Sequence, residues 1–199
     1  MNDSIMLDKL TQDILAAMPK QTQLTPEDIQ VLKKNKEFIF SLAGVIVQDF
    51  YDTLYSNEKT KAVFKPGERE IREKSLTDWM VRTINGNFDL EYWSWQTFVG
   101  ILHVKRKVTN NMMIAMMGRV SDIIFTQAIL QLPKEDAIAL KTAWIKLSTT
   151  VLSLIAEAYH IFYMKAVSNV TGMKQNLLNN AVQVEIDNLI EQNVKFRLR

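Results

Sequence analysis

The chain has 199 residues, of which 47% are hydrophobic and 23% charged, which is typical of one globular domain. Its formal net charge of +2 gives no general reason to expect nucleic acid or an anionic membrane as a partner. Because cysteine is absent, disulfide scaffolds, iron–sulfur clusters and thiol catalysis are excluded. The first residues do not resemble a signal peptide, and no uninterrupted apolar run approaches the roughly 18 residues of a membrane-spanning helix. We therefore expect a cytoplasmic protein.

Helical spacing of apolar residues continues along almost the whole chain, and only six glycines and four prolines interrupt it. The pattern predicts about eight helices and no convincing strand. Thr25, Pro26 and Asp28 form the clearest helix start, because a capping residue, a first-position proline and an acid three residues after the cap occur together. The stretches expected to be helical are 3–18, one that starts at Pro26, 37–55, 68–85, one capped by Asn87 or Asp89 that reaches His103, 110–132, 134–171 and a segment within 173–199.

Only two histidines occur, and one of them, His103, ends the apolar stretch that begins at Phe98. A structural zinc site needs three or four protein ligands, and the sequence shows no such cluster. Haem is different, because the porphyrin supplies four nitrogens and the protein needs to supply as little as one axial histidine. A hydrogen-bonded core histidine is the commoner explanation for a lone histidine of this kind, so both alternatives stay open here.

The familiar catalytic motifs are missing from the sequence, including a phosphate-binding glycine loop, an HExxH pair and a nucleophile elbow. Carboxylate pairs such as Glu68 and Glu70 are expected either at helix starts or facing solvent. The basic triplet 105–107 is expected to be a solvated helix end, where cations suit the helix dipole. The four methionines within 112–117 are expected to fill core gaps, although a soft binding surface is the alternative. We expect no enzyme.

Two short motifs change the interpretation of His103. Phe50-Tyr51-Asp52 lies within the apolar stretch 37–55, and Val99-Gly100-Ile101-Leu102-His103 follows after a Pro-Gly break, a charged helix and a turn. This order resembles the globin-coupled sensor and protoglobin family over roughly residues 24–165. The resemblance implies an all-α, globin-like helical fold with an extra N-terminal helix and an added C-terminal helix. It divides the chain into a pre-globin helix (1–23), a sensor-globin domain (24–171) and a C-terminal amphipathic helix or linker (173–199).

The resemblance also implies roles for individual residues around a haem b (iron protoporphyrin IX). His103 corresponds to the proximal iron ligand and Tyr51 to the distal tyrosine, which can donate a hydrogen bond to a bound gas. Ser75 corresponds to a second distal polar side chain, and Leu76 to its apolar neighbour. The carbonyl of Val99, one helical turn before the histidine, is the natural acceptor for the second ring N–H. His160 has no matching motif and is expected to be structural.

Two further features lie close to His103 in the sequence. Gly100 has no side chain, so it can let either the porphyrin or a neighbouring helix approach closely. Relatives usually continue after the histidine with Gly-Leu and a Pro-x-Trp motif, whereas this chain has three basic residues within 104–111. The residues that contact the edge of the haem in relatives are therefore expected to differ in this chain.

The expected function is sensing of O₂, CO or NO by a homodimer formed through the helices 110–132 and 134–171, without nucleic acid or membrane. The alternatives are a haem-free globin-fold interaction module and an oxygen- or NO-handling haem enzyme. Within 173–199, apolar residues at steps of three and four predict an amphipathic helix. This helix either continues the dimer axis or folds back over apolar surface. Its apolar positions are Leu178, Val182, Ile186, Leu189 and Val194.

Overall fold

The computed structural model describes the backbone of residues 3–193 and the side chains of residues 6–193. Within this range the chain forms ten α-helices and one 3-10 helix and contains no strand. The all-α expectation is therefore confirmed, whereas Val194 and the residues after it lie outside the described range. The helices are α1 (Asp3–Ala17), α2 (Pro26–Lys34), α3 (Lys36–Ser41), α4 (Ala43–Tyr55), α5 (Glu58–Lys61), α6 (Arg69–Ile84), α7 (Leu90–Arg106), α8 (Asn110–Gln131), α9 (Lys134–Thr171) and α10 (Gln175–Gln192), with the 3-10 turn at Lys20–Thr22.

The chain divides into two compact units, Met1–Tyr159 and His160–Arg199. The first unit contains α1 to α8 and the larger part of α9. Its core consists of apolar side chains that are almost completely buried, and α9 contributes many of them. The fully buried members include Ile46, Ile124, Leu140, Val151 and Leu154. The second unit holds the remainder of α9 and α10.

The helix starts predicted at Thr25 and Asp89 are present with side-chain capping hydrogen bonds. The N–H of Asp28 donates to Oγ1 of Thr25 (3.2 Å), and the N–H of Thr25 donates to Oδ2 of Asp28 (2.9 Å), which completes a capping box. At α7, Tyr92 N–H donates to Oδ1 of Asp89 at 3.0 Å. Of the two expected capping residues, Asn87 and Asp89, the second therefore caps this helix.

The expected single helix over 37–55 is wrong in one respect, because it is split at Leu42 into α3 and α4. The N–H of Leu42 donates to the carbonyl of Ile39 (3.1 Å), which tightens the end of α3. The hydroxyl of Ser41 donates to the carbonyl of Phe38 (2.7 Å) and engages another carbonyl of the last turn. The helix around Tyr51 thus begins at Ala43.

The leading helix α1 packs against α7, the helix that contains His103. The hydroxyls of Thr11 and Thr97 are both fully buried and share a hydrogen bond of 2.8 Å. Ser94 donates a second hydrogen bond, of 2.6 Å, to Oδ1 of Asp8. Buried polar groups are costly unless they are paired, so these contacts fix α1 on α7.

The helices α8 and α9 are long and apolar enough, by length and composition alone, to cross a membrane. This result differs from the expectation drawn from uninterrupted apolar runs, because a window average tolerates polar residues within the segment. Core helices of globular proteins pass the same test, and both helices bury an apolar side towards the core of the first unit, as Val120 of α8 and Leu147 of α9 illustrate. The test alone therefore gives weak support for a membrane span.

Helix α7 comes into close contact with α9 at Gly100. A Cβ atom at this position would lie 2.6 Å from the carbonyl oxygen of Ile155 and 2.8 Å from the Cβ of Ala158. Real Cβ atoms essentially never come this near to other heavy atoms, so only glycine fits without a shift of backbone. Of the two partners expected for Gly100, the neighbouring helix is the one present.

We predict that Gly100→Ala lowers the free energy of unfolding by about 1–3 kcal/mol, because the added methyl group overpacks the contact between α7 and α9. Urea denaturation of the variant and the parent protein measures the change. Gly118→Ala is the matched control, since Gly118 also lies within a helix but has no heavy atom within 4 Å of the added Cβ. That control gains about 0.5–1 kcal/mol from the lower entropy cost of alanine, and equal effects at both positions would contradict the prediction.

Candidate functional site

An apolar cavity of about 410 Å³ lies between α4, α6, α7 and α8. This volume is within the range of roughly 300–1,000 Å³ that is usual for small-molecule sites. All five residues singled out in the sequence line it, namely Tyr51, Ser75, Leu76, Val99 and His103. The second histidine, His160, is exposed and lies outside this lining. The fold thus brings the predicted site residues together from three different helices.

His103 is half-buried in the wall of this cavity. Its Nδ1 lies 2.8 Å from the carbonyl oxygen of Val99, one turn earlier in α7. Because a carbonyl can only accept, Nδ1 carries the hydrogen, and Nε2 keeps a free lone pair. Burial lowers the pKa of the imidazole, and Arg106 lowers it further against the opposing effect of the Val99 hydrogen bond. The side chain is therefore a neutral, oriented imidazole at pH 7, which is the form that binds a metal.

Among the described residues, no three histidine, aspartate or glutamate side chains converge in a way that could hold a metal ion. His103 therefore enters the cavity as a single nitrogen donor. The surrounding apolar walls suit a flat organic cofactor that supplies the remaining ligands itself.

Tyr51 lines the same cavity from α4 and is only 5% exposed. Burial raises the pKa of its phenol to about 12, so the hydroxyl keeps its proton at neutral pH. The hydroxyl donates to the backbone carbonyl of Arg72 on α6 at 2.7 Å. The rings of Phe50 and Phe64 pack against Tyr51 with centroids 5.2 and 5.9 Å away. Tyr51 is therefore a protonated donor held in place by its neighbours.

Ser75 and Leu76 contribute to the cavity from α6. The hydroxyl of Ser75 donates back to the carbonyl of Ile71 at 2.8 Å, and the residue is largely exposed. Such back-bonding uses the only proton of the hydroxyl. Leu76 is half-buried and packs in a small cluster around Tyr51. The Tyr51 hydroxyl likewise uses its one proton on a backbone carbonyl, but Tyr51 is buried whereas Ser75 is exposed, so Tyr51 is the better placed donor in the cavity.

The methionine cluster of α8 forms another wall of the cavity, which the sequence analysis did not favour. Met112, Met113, Met116 and Met117 all line it. Their spacing places them on one face of the helix. This spacing is the sequence feature that could have favoured a binding surface. Unbranched, polarisable thioether side chains adapt well to the outline of a ligand. The alternative of a soft binding surface therefore describes them better than gap-filling alone.

The expectation that the basic triplet 105–107 is a solvated helix end is wrong for Arg106. Helix α7 continues past His103, and its Arg106 donates to Oε1 of Glu68 at 2.7 Å while lining the cavity. Arg72 contacts the same carboxylate oxygen at 2.9 Å. The Arg106 hydrogen bond is the main reason why the pKa of Glu68 falls to about 2, so this carboxylate stays ionised. Glu68 directly precedes α6, so the expected helix-start position is confirmed for it, whereas its carboxylate is largely covered and does not face solvent.

A buried polar network connects α6 and α7 beside the cavity. The indole N–H of Trp79 donates to Oε1 of Gln96 (3.1 Å), and the amide of Gln96 donates to the hydroxyl of Tyr92 (2.9 Å). That hydroxyl in turn donates to Oγ1 of Thr83 at 3.3 Å. Gln96 is fully buried, so the network fixes the spacing of the two helices that carry Leu76 and His103.

A helical fold around an apolar cavity with one neutral, backbone-oriented imidazole is the arrangement of a globin, a class that holds haem through an axial histidine. The protoglobin family model matches residues 11–164, and the chain belongs to the protoglobin family. Membership makes it a haem-based, gas-binding globin. No curated protein sequence matches the chain significantly. The family suspected from the sequence motifs is thus confirmed.

The residues of the cavity fit a haem group. His103 presents a free Nε2 lone pair, and the walls from α4, α6 and α8 are mostly apolar. The buried Nε of Arg72 has no hydrogen-bond partner, which leaves one cationic donor unmatched at the cavity. When bound, haem supplies an iron centre that can take up a gas molecule at its sixth position.

We predict that His103→Ala gives folded but haem-poor protein, because the substitution removes the only imidazole that lines the cavity. The Soret absorption per protein chain measures haem content, and far-UV circular dichroism checks the fold. His160→Ala is the control and should retain its full Soret band. Equal haem content in the parent and the His103 variant would rule out His103 as the ligand, and a parent protein without a Soret band would favour a haem-free module.

Proposed function

We propose that this protein is a cytoplasmic sensor of O₂, CO or NO in which His103 is the proximal ligand of haem b. The observation that carries this proposal is that His103 and Tyr51 line one apolar cavity, the first as a neutral imidazole and the second as a protonated donor. The proposal includes no nucleic-acid or membrane partner. It also includes no enzymatic activity, since the described lining contains no carboxylate that could serve as an acid–base partner of His103.

Tyr51 is proposed to stabilise bound O₂, which carries partial negative charge, by donating a hydrogen bond to it. The phenol has one proton, so it must leave the carbonyl of Arg72 in order to donate to a ligand. This exchange costs little, because a carbonyl inside α6 also accepts from the helical N–H four residues later. A donor in a dry pocket then contributes about 1–3 kcal/mol to ligand retention.

We predict that Tyr51→Phe speeds O₂ dissociation about ten-fold or more, because the hydrogen bond to the ligand is lost. CO is less polar, so its dissociation changes less. Stopped-flow ligand displacement measures both rates.

Tyr55→Phe is the matched control for this experiment. Tyr55 is also on α4, and its buried hydroxyl has no hydrogen-bond partner and does not line the cavity. Its removal should leave both rates unchanged. If O₂ dissociation is unchanged in Tyr51→Phe, the donor is Ser75 or water. Steady turnover of peroxide or NO by the parent protein would favour an enzyme instead.

Signal transfer is proposed to use a homodimer formed through α8 and α9. Large apolar side chains are exposed on both helices, as an interface between subunits requires. Among them, Ile129 and Leu130 of α8 are each 72% exposed, and Ile138 of α9 is 55% exposed. On α10, Val182, Ile186 and Leu189 form one exposed stripe at helical spacing. This stripe is proposed to continue the dimer axis.

We predict that truncation after Gly172 leaves haem binding intact and weakens dimerisation, because the stripe on α10 is lost. Sedimentation equilibrium at micromolar concentration compares the truncated and full chains. In the full chain, Ile186→Asp should weaken the dimer similarly, whereas Val184→Asp, on a different side of α10, should not. An unchanged dimer after truncation would mean that α10 has no part in the interface.

A further inference from the structure

Two arginines share one carboxylate at the place where α6 begins and α7 ends. Arg72 of α6 and Arg106 of α7 both contact Oε1 of Glu68, at 2.9 and 2.7 Å. Both arginines are also among the residues that line the apolar cavity. Arg106 lies one turn beyond His103 on the same helix. The two cations therefore come from two different walls of the cavity.

The charges in this cluster are not balanced. One carboxylate neutralises one guanidinium, and a second positive charge remains. The Nε of Arg72 is buried and has no hydrogen-bond partner, although an unpaired buried donor carries a desolvation penalty. Arg69, the next arginine before Arg72, does not compensate for this, because it pairs with Asp52 and Glu73 outside the cavity lining. The cluster thus has both the charge and a free donor for an added anion.

The remainder of the described lining is uncharged, apart from the neutral imidazole of His103 and the protonated phenol of Tyr51. A ligand with an apolar body and an acidic edge can therefore place that edge favourably only beside the two arginines. Guanidinium groups bind carboxylates through paired N–H donors, which fixes orientation as well as position.

We propose that Arg72 and Arg106 bind the two carboxylate groups of the porphyrin, so that its acidic edge lies where α6 begins and α7 ends. This assignment rests on the proposed function, in which the cavity holds haem through His103. Glu68 is a positioning residue, because it holds the two guanidinium groups together and offsets their repulsion before the porphyrin arrives. Of the three basic residues in the triplet 105–107, Arg106 thereby has a specific role in binding the porphyrin.

The test uses the full chain without haem, together with iron-free protoporphyrin IX and its dimethyl ester. These two probes differ only in their carboxylates, and neither forms a metal bond to His103. Trp79 and Trp95 line the cavity, so quenching of tryptophan fluorescence measures the dissociation constants. Wild type should bind the free acid about a hundred-fold more tightly than the ester, since each charge-assisted pair is worth about ten-fold.

Arg72→Gln and Arg106→Gln should each weaken binding of the acid about ten-fold and leave the ester unaffected. The double variant should lose the preference for the acid. Arg72→Lys should retain more of this preference than Arg72→Gln does, because lysine keeps the positive charge. Arg119→Gln is the matched control, because Arg119 pairs with Asp49 and Asp122 away from the cavity and should keep the full preference.

Three outcomes separate this proposal from the proposed function. Equal binding of acid and ester by wild type would overturn the carboxylate assignment, and this comparison does not depend on whether the variants fold. An acid preference that persists in a folded double variant would also overturn it. Absence of quenching by either porphyrin would mean that the cavity holds no porphyrin, so both proposals would fail. Haem loss in His103→Ala tests the iron ligand separately, because the iron-free probes do not report on it.

Discussion

The position of α7 is the constraint on which the site depends, and three sets of contacts hold this helix. The absence of a side chain at Gly100 lets α7 approach the backbone of α9. The buried hydrogen bond between Thr11 and Thr97 attaches α1 to it. Gln96 and Arg106 connect it to residues on or just before α6. One local hydrogen bond, to the carbonyl of Val99, is enough to orient the His103 side chain, because the helix itself is already fixed.

Electrostatics in the cavity follow from burial rather than from added charges. Desolvation lowers the pKa of the imidazole and raises that of the Tyr51 phenol, so both groups are neutral at pH 7. In the haem-free protein, His103 therefore stabilises the fold fully above its unfolded pKa of about 6.5, and this contribution is lost as the pH falls towards its lower folded value. The hydrogen bond from Arg106 is the main cause that lowers the pKa of Glu68 to about 2, so this carboxylate remains ionised beside the two arginines.

The sequence was sufficient for features that depend on local patterns. The capping box at Thr25 and the cap at Asp89 both involve short motifs with a direct physical reason. The placement of Tyr51 and His103 in one cavity was expected from the family resemblance and not from a local pattern. The break at Leu42 was missed because it arises from hydrogen bonds of the last turn of α3, which apolar periodicity does not record. The pairing of Arg106 with Glu68 was missed because only tertiary packing brings these distant residues together.

Arg72 connects the two features that the sequence analysis treated separately. Its backbone carbonyl accepts the hydrogen bond of Tyr51, and its guanidinium shares Glu68 with Arg106, one turn beyond His103. The donor on α4 and the imidazole on α7 are therefore linked through a single residue of α6. Any displacement of Arg106 therefore acts first on Glu68, and through this carboxylate on Arg72, the residue whose carbonyl accepts the Tyr51 hydrogen bond.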